Sequence, residues 1–129
     1  DTYQLEERQI SIVTDVDEIS MDLDLAIPTG LIVNELVINA IKHAFPNNQM
    51  GEINIGVKKQ ETGFTIKVRD NGVGIKLLEG KPVDKTNAFG LELVESLAEK
   101  IKASLVFSNG QGTSVEAFVH FNKHEPLFP

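Results

Sequence analysis

The chain has no cysteine and no tryptophan, one tyrosine and two methionines among 129 residues. Without thiols it has neither disulfides nor thiolate metal sites, which fits a cytoplasmic setting. Basic residues are also scarce: 12 Lys and Arg stand against 19 Asp and Glu, a net charge of −7. Binding a phosphate backbone takes a basic surface, so no nucleic-acid partner is expected. An anionic ligand would have to be held by a local positive site rather than by the overall field. No run of eighteen apolar residues is free of charge, so no membrane contact is expected. The opening DTYQLEERQ carries no signal-peptide pattern.

At 41% hydrophobic content the chain is expected to form one globular domain, burying roughly two thirds of its unfolded surface. The stretch around which it is organised runs from Pro28 to Phe45, PTGLIVNELVINAIKHAF. Val33, Val37, Ala40, Ile41 and Ala44 recur at helical spacing and form an apolar stripe. Glu35, Asn39, Lys42 and His43 fall at i, i+4, i+7 and i+8 and share another face. Ile32, Leu36 and Ile38 flank that polar face, so its groups are set into a nearly apolar helix and are expected to have partners.

In chain order, residues 1–8 are polar and read as a linker from an upstream domain, 9–121 as the folded domain and 122–129 as a loosely held tail. Gln9 to Asp15 is a β-branched run and predicts a strand. Ile19, Met21, Leu23 and Leu25 alternate with polar residues and predict a second one. The helix follows, with Pro28 limiting where it begins and Pro46 ending it. GEINIGVKK and FTIKVRD predict two more strands. In the latter Asp70 continues the inward parity of Phe64, Ile66 and Val68, so a carboxylate stands where an apolar residue is expected. DNGVGI is a turn. Residues 76–88 show no strand period and read as a long loop of the kind that forms lids. Gly90 opens a second helix with Leu91, Val94, Leu97, Ala98 and Ile101 at helical spacing. Ser104–Asn109 and Thr113–Phe121 predict the last strands. The order β-β-α-β-β-loop-α-β-β implies an α+β two-layer sandwich, with helices on one face of a mostly antiparallel sheet.

These residues carry a resemblance. NELVINAIKHAF resembles the N box of the GHKL ATPases, the superfamily of histidine kinases, type II topoisomerases, mismatch-repair ATPases and a heat-shock chaperone. DNGVGI resembles the first glycine box, FGLELV the second, and GTS at Gly112 to Ser114 the third. The approach PTGLIVNEL and the ending KHAFP are most similar to sensor histidine kinases with a PxGLIxNELxxNAxKHAF helix. The resemblance covers about residues 9–121, with four boxes in order.

The resemblance implies a Bergerat-type ATP-binding domain using ATP and Mg²⁺. It implies Asn39 as the magnesium ligand and Glu35 as the catalytic base. Lys42 and His43 would supply positive charge and donors to phosphate. Asp70 would accept from the adenine amino group, with Gly72 and Gly74 letting the backbone bend beside the base. Gly90 and Leu91 would approach the phosphates at a helix start, and Thr113 would buttress Asp70. The partners implied are a histidine-bearing dimerisation domain of the same protein and a downstream response regulator. Two alternatives stand beside this: a serine kinase of the anti-sigma-factor type, and a nucleotide-binding module without transfer. The chain departs from the pattern in its second box, where Ala88-Phe89-Gly90 keeps only the last of two glycines. The absence of Trp sets aside a kinase subgroup marked by a Trp-containing motif. Lys85 reads as loop charge, and His120 and His124 as surface residues.

Overall fold

The computed structural model describes residues 9–46, 49–82 and 91–121. Its main sheet contains β1 (Ile10–Val16), β2 (Gly51–Lys59), β3 (Gly63–Asp70), β6 (Ser104–Gly110) and β7 (Gly112–His120). The strand order is β1-β2-β3-β7-β6. Only β1 and β2 run parallel; the other pairs are antiparallel. A parallel neighbour requires a crossover, and here it is the long helix α1 (Leu23–His43). The second helix, α2 (Leu91–Lys100), packs against α1 and β6.

Strand alternation sets the core. Phe64, Ile66 and Val68 of β3 and Val115, Ala117 and Val119 of β7 are buried, whereas Lys67, Arg69, Glu116 and His120 are exposed. The buried strand residues meet Ile32, Leu36 and Ala40 of α1 and Val94 and Ala98 of α2 in one cluster. This is the expected α+β two-layer sandwich.

Three local expectations are overturned. Residues 19–22 form no strand, and Leu23 and Leu25 belong to α1, which begins five residues before Pro28. The two-residue alternation competes with a helical pattern: Leu25, Ile32, Leu36 and Ala40 are all buried on one side of α1, and packing against the sheet favours that pattern over the local period. Pro28 lies inside the helix, buried, and its missing N–H leaves the Asp24 carbonyl without its usual intrahelical donor. The inward stripe is likewise shifted: Val33 and Val37 are half-buried, whereas Ile32 and Leu36 point fully in. Within 76–88, Leu77–Leu78 (β4) and Lys81–Pro82 (β5) pair as a small antiparallel ladder. The rest of that segment, Gly90, the linker 1–8 and the tail lie outside the described residues.

By length and hydropathy α1 alone among the described residues is apolar enough to cross a membrane, with a mean hydropathy of 1.4 over its most apolar window. Its inner side is nevertheless part of the core of the sandwich.

Candidate functional site

The strand parity that buries Phe64, Ile66 and Val68 also carries Asp70 inward at the end of β3, where it is only 6% exposed. A charge there needs donors. Its Oδ1 accepts from the Gly72 N–H at 2.8 Å and from the Thr113 N–H at 3.3 Å. Burial pushes the Asp70 carboxyl above its ordinary value, and the two backbone donors pull the other way. Both donors reach the same oxygen, and the residue also lines the adjoining cavity.

The loop that follows, DNGVGI, is tied on three sides. Asn71 exchanges bonds with Glu52 on β2: its N–H donates to the Glu52 carbonyl at 3.3 Å, and its Oδ1 accepts from the Glu52 N–H at 2.9 Å. The Val73 N–H donates to the Ala44 carbonyl at 2.9 Å, just past the end of α1. Gly72 lies so close to that carbonyl that any β-carbon would collide with it. Asn109 near the end of β6 receives the Ile75 N–H at its Oδ1 (3.4 Å) and donates from Nδ2 to the Ile75 carbonyl. Asn-Gly is thus used to wrap a loop around a carboxylate rather than to reverse a hairpin.

The cavity beside Asp70 measures about 60 Å³ and is walled by Leu36, Ala40, Val68, Ile75, Phe107 and Val115. Into it come Asn39, His43, Asp70, Gly74, Leu91 and Thr113, six of the ten residues singled out above. Gly72 contributes its N–H from behind Asp70. Glu35 and Lys42 do not line the cavity. Glu35 is half-buried one turn before Asn39, and Lys42 and His43 are exposed in the last turn of α1. Gly90 lies outside the described residues. Thr113 supports Asp70 through its backbone, while its hydroxyl donates to Asn109 Oδ1 at 3.5 Å. Asn109 has no counterpart among the expected residues. Its signal in the sequence is that of an ordinary turn, and its partner is 34 residues away.

The Nδ2 atom of Asn39 is buried and has no hydrogen-bond partner. An orphaned amide on a cavity wall is costly unless a ligand completes it. Asp70 lines the same cavity, so an unpartnered amide nitrogen and a buried carboxylate stand together on it. A much larger hollow, about 910 Å³, opens at the other end of the sheet among Glu18, Met21, Lys59, Lys102 and Phe121. Size favours that end. Chemistry favours the small cavity, because convergent, desolvated polar groups in an apolar wall mark a binding site better than volume does.

A family model described as a histidine kinase-like ATPase domain matches residues 4–118. The nitrate/nitrite sensor protein NarQ of Escherichia coli (strain K12) is 29% identical over 108 residues, 83% of this chain. The chain spans only 18% of that protein's length. The anti-sigma F factor of Bacillus licheniformis is 25% identical over 127 residues, 92% of this chain and 86% of that protein. The blue-light activated histidine kinase of Erythrobacter litoralis EL346 superposes with a TM-score of 0.78 at 21% identity, over 93% of this chain and 39% of that one.

Proposed function

Because the chain belongs to the histidine kinase-like ATPase domain family, we propose that it is the catalytic domain of a sensor kinase. In this reading it transfers the γ-phosphate of ATP to a histidine on a dimerisation domain outside this chain, from which a response regulator is served. As an ATPase domain it binds ATP, and α1 is read as the helix of the PxGLIxNELxxNAxKHAF subgroup. Such a domain would work in the cytoplasm, where ATP is.

The observation that carries the reading is Asp70, a buried carboxylate locked through Oδ1 on the wall of a cavity. The exocyclic amino group of adenine suits it; guanine presents a carbonyl at that position and is repelled. The wall of Leu36, Ala40, Val68, Ile75 and Phe107 suits the faces of a planar base. The unpartnered Nδ2 of Asn39 is a donor and suits a phosphate oxygen, while the amide oxygen of the same side chain suits a metal. That oxygen is a hard ligand of the type Mg²⁺ takes, and it adds no negative charge beside a triphosphate. Mg²⁺, when bound, supplies charge neutralisation for the phosphate oxygens. Glu35, one turn earlier on α1, would hold the acceptor imidazole and take its proton. Lys42 and His43 complement the negative end of the α1 dipole and offer donors to phosphate. Gly90 and Leu91 would meet the terminal phosphates from the start of α2.

A second reading, a serine kinase of the anti-sigma-factor type, is favoured by one observation: the chain covers 86% of the anti-sigma F factor, a relative of nearly its own size. One experiment separates the two. With ATP, Mg²⁺ and an added histidine-bearing dimerisation domain, acid-labile phosphate should appear on that domain and none on the isolated chain. Acid-stable phosphate on a serine partner supports the second reading. Equal calorimetric affinities for ATP and GTP would remove both.

A further inference from the structure

The loop DNGVGI is held through two Asn-Gly steps, one its own and one on β6, and the fold treats them differently. At Asn71-Gly72 both residues are fixed. The Asn71 Oδ1 accepts from the Glu52 N–H at 2.9 Å, and the Gly72 N–H is held by Asp70 at 2.8 Å. Gly72 is also wedged against the Ala44 carbonyl. At Asn109-Gly110 both residues are exposed, and a β-carbon on Gly110 would meet nothing within 4 Å. Gly110 is not among the glycines of positive φ, so neither space nor backbone requires a glycine there.

What that glycine does confer is chemistry. With no side chain, its nitrogen is open to the carboxamide of the asparagine before it, and asparagine is thermolabile. The Gly110 nitrogen gives its proton to solvent and attacks Cγ of Asn109. The new N–C bond closes a succinimide ring as the Cγ–Nδ2 bond breaks, and the departing nitrogen takes up a proton and leaves as ammonia. Water then opens the ring at either carbonyl, giving aspartate or isoaspartate, with no oxidant and no cofactor.

At Asn109 this reaction consumes a bonded group. Nδ2 donates to the Ile75 carbonyl, while Oδ1 accepts from the Ile75 N–H at 3.4 Å and the Thr113 hydroxyl at 3.5 Å. A carboxylate in its place still accepts but has nothing to donate, and an oxygen then opposes the Ile75 carbonyl. Gly74, Ile75 and Thr113 all line the cavity beside Asp70, so the change reaches its wall.

We propose that Asn109-Gly110 is a site of spontaneous deamidation, whose product releases Ile75 from β6 and loosens the wall beside Asp70. Ammonia leaves from the very nitrogen that is bonded to Ile75, so the reaction runs through local opening of the loop. A chain whose loop stays shut is spared, and one whose loop opens is marked irreversibly. The site does not depend on what the cavity binds; only its effect on ATP affinity rests on the nucleotide reading.

The test ages the purified full chain in mildly alkaline buffer without nucleotide and maps both steps by peptide mass spectrometry. In the folded chain Asn109 should convert at least tenfold faster than Asn71, whereas in denaturant the two should convert at like rates. Gly110→Ala should melt no lower than the parent and should slow conversion of Asn109 at least tenfold. Asn109→Asp, which carries the product's charge, should speed hydrogen exchange at the Ile75 amide and lower ATP affinity about tenfold. Conversion of Asn71 first, of both alike in the folded chain, or of neither overturns the site. Equal Ile75 exchange in Asn109→Asp and the parent overturns its consequence. A parent that binds no ATP removes the nucleotide reading alone.

Discussion

Asp70 and Asp17 both accept a backbone N–H, at opposite ends of the sheet, and they could hardly differ more in consequence. Asp17 Oδ2 takes the Lys59 N–H at 2.7 Å, a shorter bond than either of those at Asp70. Its side chain remains 41% exposed, and Lys58 lies between it and Asp15. Water screens that group of charges, so it is worth little to stability and presents nothing that a ligand must complete. At Asp70 the bonds are no better, but the carboxylate is buried and lines a cavity with apolar walls. Desolvation, not hydrogen-bond length, separates a site from a surface.

The largest effect expected from testing this contrast lies beside Asp70, on the polar face of α1. Glu35→Gln keeps the shape of the side chain and removes its basicity. Transfer to the acceptor domain in single-turnover experiments should fall by about 10²–10⁴-fold with ATP affinity nearly unchanged. Asn39→Ala should do the reverse, weakening Mg²⁺-dependent ATP binding first. If Glu35→Gln loses binding and keeps its rate, the roles given to this face are wrong.

Next in size is Asp70→Asn. The amide keeps an acceptor for Gly72 and Thr113 but turns a donor toward the adenine amino group. Calorimetry should show ATP affinity lowered by about ten- to a hundredfold, the value of one buried charge-assisted bond of about 1.5–3 kcal/mol. Stability should move the other way. Burial raises the Asp70 carboxyl above its ordinary 3.8, so the folded state holds this proton more tightly than the unfolded one. The carboxyl's contribution therefore favours the fold below that pH and is lost as pH rises through the raised value. At neutral pH, without ATP, Asp70→Asn should melt higher than the parent, and the gap should close in acid. A lower Tm for the variant at neutral pH would mean that the two backbone bonds outweigh desolvation.

Asn109→Ala comes third. It releases Ile75 and the Thr113 hydroxyl, both on the cavity, and should cost ATP affinity about tenfold at most. The smallest change belongs to the other end of the sheet. Asp17→Ala should alter stability by about 1 kcal/mol or less and leave ATP affinity unchanged; an affinity loss comparable to that of Asp70→Asn would erase the contrast.

The inward carboxylate was legible because strand parity is a local rule: Phe64, Ile66 and Val68 announce the direction of Asp70. On α1 helical spacing groups Glu35, Asn39, Lys42 and His43, of which Asn39 and His43 line the cavity. The start of α1 was not legible. Ile19 to Leu25 satisfies a strand period, and only the sheet beneath Ile32 and Leu36 decides for the helix. Asn109 was illegible for a different reason. Its meaning lies in Ile75, and no window around either residue contains the other. The β4–β5 ladder, only two residues per strand, is too short to leave a period at all.

The parallel pairing of β1 with β2 sets Ile10 opposite Gly51, with the whole of α1 in the intervening loop. Closing so long a loop is entropically unfavourable until the helix has packed, and Asp70 meets the Thr113 N–H only across a further 43 residues. The walls of the Asp70 cavity therefore come together only when contacts far apart along the chain have formed. Any ligand that seats there binds the finished fold alone, and stabilises it by an amount that grows as the logarithm of its concentration over its dissociation constant. Nucleotide supply in the cell would then set not only how fast such a domain works but how much of it remains folded.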